Sequence, residues 1–179
     1  MKKVFDPTND SHSPSDTRAL SVGIVAMPFA SITMPSIQAG TVSGIARMAG
    51  FATECYHFNL DLAVELGEEL YESLCEHRGV MSGEWLFAIA AHGANAPDQD
   101  NGLIDAFPQA YEALIAEAGL TRADLRSLRH DILPAYVNRC AQTLAKASHD
   151  IIGLTSTFQQ TNACLALAKR LKAHRGDTT

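Results

Sequence analysis

The sequence predicts an α/β fold: a partial, Rossmann-like (flavodoxin-like) parallel sheet of strand order 2-1-3, carrying a helical insertion. Three observations lead there. Residues 20–27 and 151–155 are short apolar runs, each followed by a polar turn and then a helical pattern. Residues 51–58 form a further strand candidate with its own following helix. Between that strand and the last one, about residues 60–148 read almost entirely as helix. Right-handed crossovers between parallel strands then place the first strand in the middle.

The elements follow in order. Residues 1–19 are polar, rich in Asp, Ser, Thr and Pro, and read as a loose leader, leaving 20–179 as the folded domain. Residues 20–27 are β-branched and bounded by turn residues, the pattern of a buried strand. A loop with two prolines, Pro28 and Pro35, follows. Residues 36–49 read as a helix, with Ile37, Val42, Ile45 and Met48 recurring at helical spacing. Gly40 and Gly44 would let that helix lie close to the sheet, and Gly50 is placed to end it. After the strand at 51–58, one helix is expected over 60–77, with Leu62, Leu66, Leu70 and Leu74 on a single face. Early acids (Asp61, Glu65) and late His77 and Arg78 suit its dipole, and Glu65, Glu68, Glu69 and Glu72 read as a solvated face.

Residues 82–91 predict a helix bearing Trp85, which reads as core or as a cover over the sheet edge. Residues 93–102 are rich in Asn, Asp and Gly and predict a loop. Helices are expected near 105–118 and 121–147, with a break or a helix start at Pro134. The final helix runs from about residue 162 to 174, and the chain stops where a further strand would begin.

Composition narrows the function classes. A chain of 179 residues supports one domain with a real core. The net charge of −6 and scattered Lys and Arg give no basic stripe, so nucleic acid is not an expected partner. No apolar run approaches the ~20 residues of a membrane span. The four cysteines (Cys55, Cys75, Cys140 and Cys164) have no redox or zinc spacing and read as buried small hydrophobes in a reducing cytoplasm. His92, His130 and His149 have no partner at metal-ligand spacing, so no metal site is expected. No Gly-rich phosphate loop and no nucleophile elbow is present.

Loops that follow parallel strands gather on one edge of the sheet, where helix N-termini also present free N–H groups. That edge is expected to collect Phe29, Ala30, Ser31, Ser36 and Gln38 after the first strand. His57, Asn59 and Asp61 follow the second strand, and Thr155, Ser156, Thr157, Phe158, Gln159 and Gln160 the third. Hydroxyls and amides without fixed charge suit a large neutral ligand that itself carries amides. Each residue also has a plainer reading: Ser156, Thr157 and Gln159 as caps of the last helix, Ser36 as a helix start, His57 as a hydrogen-bonded structural residue. No catalytic residue and no metal ligand is assigned.

Five strings carry a family resemblance: Met27-Pro28-Phe29-Ala30-Ser31, Pro35-Ser36-Ile37-Gln38, Asn59-Leu60-Asp61, Gly83-Glu84-Trp85-Leu86-Phe87 and Thr155 to Gln160. In this order and spacing the chain from Leu20 to Arg175 resembles the N-terminal, cobalamin-binding-like region of RiPP maturation radical SAM protein 1, a family that includes C-methyltransferases of ribosomally made peptides. The resemblance implies a B12-binding-like fold and cobalamin as cofactor, held by the sheet-edge residues named above. It implies a precursor peptide and a radical SAM barrel, in cis or in trans, as partners. S-adenosylmethionine and a 4Fe-4S cluster would belong to that barrel, because this chain has no Cys-x3-Cys-x2-Cys triad. The chain alone is therefore expected to be catalytically silent, and to be truncated before further strands and the barrel. It also lacks the Asp-x-His-x-x-Gly string whose His serves as cobalt ligand in many cobalamin domains. Two other readings stay open: a cofactor-free peptide- or protein-recognition module on the same fold, and a small stand-alone enzyme. An open sheet edge would further lead the isolated chain to self-associate.

Overall fold

The computed structural model describes residues 20–77 and 81–176. The leader, Arg78 and the last three residues lie outside the described residues.

The sheet is as expected. Strand β1 (Ser21–Ala26) lies between β2 (Ala52–His57) and β3 (Ile151–Thr155), all parallel, in the order β2-β1-β3. Ile24 stands opposite Cys55 on one side and Gly153 on the other. Because β1 is the middle strand, its residues from Val22 to Ala26 are buried on both faces, which is why its sequence is continuously apolar.

Helix α1 (Ile37–Met48) starts as predicted: Ser36 Oγ accepts from Ala39 N at 3.2 Å, and Gly50 follows the helix at φ +86°. Its inward face is not the expected one. Ala39 is buried against Val22 and Ile24 and Ser43 is buried beside Cys55, while Ile37 and Met48 are 80% and 90% exposed and Val42 and Ile45 also face solvent. Gly40 and Gly44 have open space where a Cβ would stand, so they do not mediate the close approach to the sheet.

The single helix expected over 60–77 is two. Helix α2 (Phe58–Leu66) ends at Gly67, whose φ of +90° breaks the run, and α3 (Glu68–Glu76) starts anew. Leu62 and Leu74 are fully buried, and Leu66 and Leu70 pack at the margin of the core. Glu72 is not a solvated residue, since its carboxylate accepts from Ile32 N at 2.5 Å.

Helix α4 (Ser82–His92) carries Trp85 into the core. The loop after it is stapled by Arg129, which is fully buried. Arg129 donates to the carbonyls of Trp85, Pro97 and Asp98 and to Asn101 Oδ1, and stacks 4.5 Å from the Trp85 ring centroid. Short helices α5 (Gly102–Ala106), α6 (Pro108–Ala118) and α7 (Arg122–Ser127) continue the insertion. Of the two outcomes expected at Pro134, a helix start is the one observed, with no break in the helical path. A π-turn, Leu128–Ile132, feeds directly into α8 (Leu133–Ala147), and Pro134 sits in the first turn of that helix. Helix α9 (Thr161–Arg175) closes the fold against α4 and α8. The main core therefore lies on one face of the sheet, with α4, α8 and α9 over it; among the described residues α1 covers the other face. Cys75, Cys140 and Cys164 are buried and Cys55 is half-buried, all as free thiols. No helix among the described residues is long and apolar enough to cross a membrane.

Candidate functional site

Three loops meet at the carboxyl edge of the sheet, and side chains far apart in the sequence lock them together. Gln160, at the start of α9, donates through Nε2 to the Met27 carbonyl at the end of β1, while its Oε1 accepts from Thr157 N at 3.0 Å and Thr157 Oγ1 at 2.5 Å. Gln159 is buried at φ +67°; its Oε1 accepts from Gly83 N at 2.8 Å and its Nε2 donates to Cys75 O at 3.1 Å. Glu84 accepts from Thr161 N and Asn162 N at 2.9 and 2.7 Å. Phe29 packs its ring against Tyr71 and Phe87, and Tyr71 donates to Ala30 O at 2.8 Å. Burial drives the Tyr71 phenol well above its ordinary range and keeps it a neutral donor.

Gly83 stands at the centre of this lock. A Cβ there would lie 2.7 Å from Gln159 Cβ, 2.9 Å from Gln159 O and 3.0 Å from Phe29 Cδ2. Three of the sequence strings, 27–31, 83–87 and 155–160, thus interlock at one point, and several of their residues hold loops rather than face outward. This corrects the expected capping of the last helix. Its first N–H groups are taken by Glu84, not by Ser156, Thr157 or Gln159, so the start of α9 offers no free anion site.

The edge is divided into two clefts by the loop at residues 31–36. The first, about 290 Å³, lies between the loops that follow β1 and β3, where the strand order reverses. It is lined by Phe29, Ala30, Ser31, Ser36 and Gln38 from one side and by Thr155, Thr157, Phe158 and Gln160 from the other. Phe158 is 57% exposed at its mouth, and Ser31 Oγ bonds Thr33 Oγ1 at 2.8 Å. Among the described residues no Lys, Arg, Asp or Glu lines it. The second cleft, about 550 Å³, lies on the β2 side and takes His57 and Asn59, with Ser36 shared between the two. Asp61 and Ser156 are exposed and line neither cleft, and Gln159 points into the interior.

The residues that sequence reasoning missed are the supporting ones. Glu84 sits inside the quoted string Gly83 to Phe87, but its target lies 77 residues away. Met34 and Pro35 separate the clefts, and Tyr71 and Glu72 brace the loop from beneath. Among the described residues no group of three or more His, Cys, Asp or Glu is disposed to hold a metal. For the corrinoid that the resemblance implies, the first cleft fits in chemistry and only in part in size. Its hydroxyls and amides complement an amide-bearing ligand, while its volume of about 290 Å³ lies just below the range of small-molecule sites (~300–1,000 Å³). No protein-family model, no curated protein and no solved structure matches the chain.

Proposed function

We propose that the cleft between the loops after β1 and β3 is a cobalamin seat, and that this chain is the corrinoid-holding part of an enzyme that modifies, by C-methylation, a ribosomally synthesised precursor peptide. The observation that carries the reading is the placement of an uncharged hydroxyl- and amide-lined cleft at the reversal of strand order, the position where open α/β sheets bind ligands. Ser31, Ser36, Gln38 and Thr157 would meet the ligand's amides, and Phe158 would lie against its apolar surface. Bound there, the corrinoid would supply a methyl carrier. The protein's own contribution is binding and orientation, through a rim made rigid by Gln159, Gln160, Glu84 and Gly83. S-adenosylmethionine and the 4Fe-4S cluster would be held by a radical SAM barrel, in cis or in trans. The precursor peptide would be shared with it, no nucleic acid would take part, and the setting would be the cytoplasm, in keeping with free thiols at every cysteine.

One observation favours a second reading, a cofactor-free recognition module: much of the polar chemistry of the rim is already spent inside the protein, with Glu84 closing the start of α9 and Gln159 turned inward. Anaerobic titration with hydroxocobalamin, followed by gel filtration and absorbance of the protein peak, decides between them. Retained corrinoid, lost in Phe158→Asp and Gln38→Glu, is the expected result; both side chains are exposed and hold nothing in the fold. A protein peak free of corrinoid would favour the recognition module.

A further inference from the structure

The outer surface of α8 and α9 carries chemistry that the rim does not use. A cleft of about 350 Å³ lies between these two helices, lined by Asn138 and Gln142 of α8 and by Arg170, Ala173 and His174 of α9. Asn138 and Gln142 are four residues apart, as are Arg170 and His174, so each pair stands on one face of its helix. Ala173, with its small side chain, leaves room between them. Arg170 and His174 lie about 14–20 Å along α9 from Thr161 at the rim.

The four polar side chains are presented and unspent. Asn138 is half-buried, and Gln142, Arg170 and His174 are exposed. Among the described residues none of the four makes a hydrogen bond or an ion pair. Other cations of the molecule are committed: Arg139 is paired with Glu65, Arg129 staples the loop after α4, and Lys169 donates to Ala91 O. Acids are missing as well. Helices α8 and α9 hold six of the chain's fourteen Lys and Arg and none of its twenty Asp and Glu. Exposed helices commonly answer their cations with acids one turn away. The helix dipole accounts for cations near the ends of α8 and α9. It does not account for two carboxamides facing them across a cleft.

A guanidinium offers a planar fork of donors that a carboxylate fills with both oxygens. Arg170 is the one permanent charge lining the cleft among the described residues. It balances a monoanion, and would leave a phosphate group, at about −2, half neutralised. A carboxamide presents both a donor and an acceptor, the complement of an amide. We infer that the α8–α9 cleft binds a carboxylate flanked by an amide, the chemistry of a peptide C-terminus. Arg170 holds the carboxylate, with a ring N–H of His174 beside it, and Asn138 and Gln142 hold the amide. This site is separate from the corrinoid seat and does not depend on it.

The test uses the full chain, nitrogen-15 labelled and held at constant ionic strength, with N-acetylglycine as the probe. The side-chain N–H signals of Arg170, Asn138 and Gln142 are followed by NMR and assigned by their loss in single variants. N-acetylglycine should shift all three together with a roughly millimolar Kd, ordinary for so small a ligand on an open site. Acetate lacks the amide, N-acetylglycinamide lacks the charge, and inorganic phosphate has the wrong one. Each should bind at least about fivefold more weakly. Arg170→Gln should raise the Kd about tenfold, and so should Gln142→Glu, which sets a like charge beside the carboxylate. Both positions are exposed, so Tm should not change. Arg126→Gln, which removes an exposed charge from α7, should leave the Kd unchanged. Absence of a joint shift, or undiminished binding in Arg170→Gln or Gln142→Glu, would overturn the inference. So would an equal loss in Arg126→Gln, or a comparison probe that binds as tightly as N-acetylglycine.

Discussion

At the scale of single residues, the chain invests its unusual choices where segments cross. Gly83 is the clearest case. Its missing side chain lets α4 approach the loop after β3 within contact of Gln159 and Phe29. Adding one methyl at that crossing should cost about 1–3 kcal/mol, as overpacking does. We therefore expect Gly83→Ala to lower the urea midpoint with little change in m-value, and to loosen the rim that Gln159 and Gln160 hold. An unchanged midpoint would mean that the loop yields freely. Part of this was legible beforehand. Ser36 as a helix start and Trp85 as core follow from local preference and from composition, and both hold. The roles of Gln159, Gln160 and Glu84 were not legible, because a glutamine or glutamate beside a helix start looks the same whether it faces a ligand or reaches a backbone group 77 or 133 residues away.

At the scale of elements, periodicity located helices well and oriented one of them wrongly. In α1 the larger apolar residues, Ile37, Val42, Ile45 and Met48, mark the outer face, and Ala39 and Ser43 the inner one. The helix sits so close to β1 and β2 that only small side chains fit beneath it. Hydrophobic size was a poor guide here, because proximity selected for smallness. Substituting the outer face should accordingly matter little. Ile45→Glu and Met48→Lys are each expected to change stability by less than ~0.5 kcal/mol. Ala39→Leu, at a buried position, should cost about 1–3 kcal/mol by overpacking. Denaturant titration of the three variants checks this; a large loss in Met48→Lys would put the core on the opposite face of α1. The break at Gly67 was equally hidden, since one glycine within an otherwise helical pattern is tolerated as often as it ends a helix.

At the scale of the whole molecule, the two sheet edges differ in their defence. On β2, the Thr53 carbonyl accepts from Arg47 Nη2 at 3.1 Å, and Glu54 adds an exposed charge. On β3, Ile151 to Thr155 carry no charge, and Ile151 is 47% exposed with Leu165 of α9 also open to solvent. An uncharged open edge pairs with other strands. The isolated chain should therefore self-associate as its concentration rises, and Ile151→Lys should suppress this. Light scattering across a concentration series measures it. A wild-type chain that stays monomeric throughout, or an Ile151→Lys variant that associates as strongly, would show that this edge is not the contact.

The sequence by itself determined the strand order, the position of most helices and the gathering of the loops after β1 and β3 on one rim. These follow from short-range patterning and from the handedness of parallel crossovers, which act within a few tens of residues. Only the tertiary structure decided which rim residues face outward, that the rim is two clefts, and that Asn59 lies buried beside the second with its amide oxygen unpaired among the described residues. Those outcomes depend on contacts between segments 40 to 133 residues apart and on whether a buried polar atom finds a partner. Both are properties of the packed chain, and local sequence does not encode them.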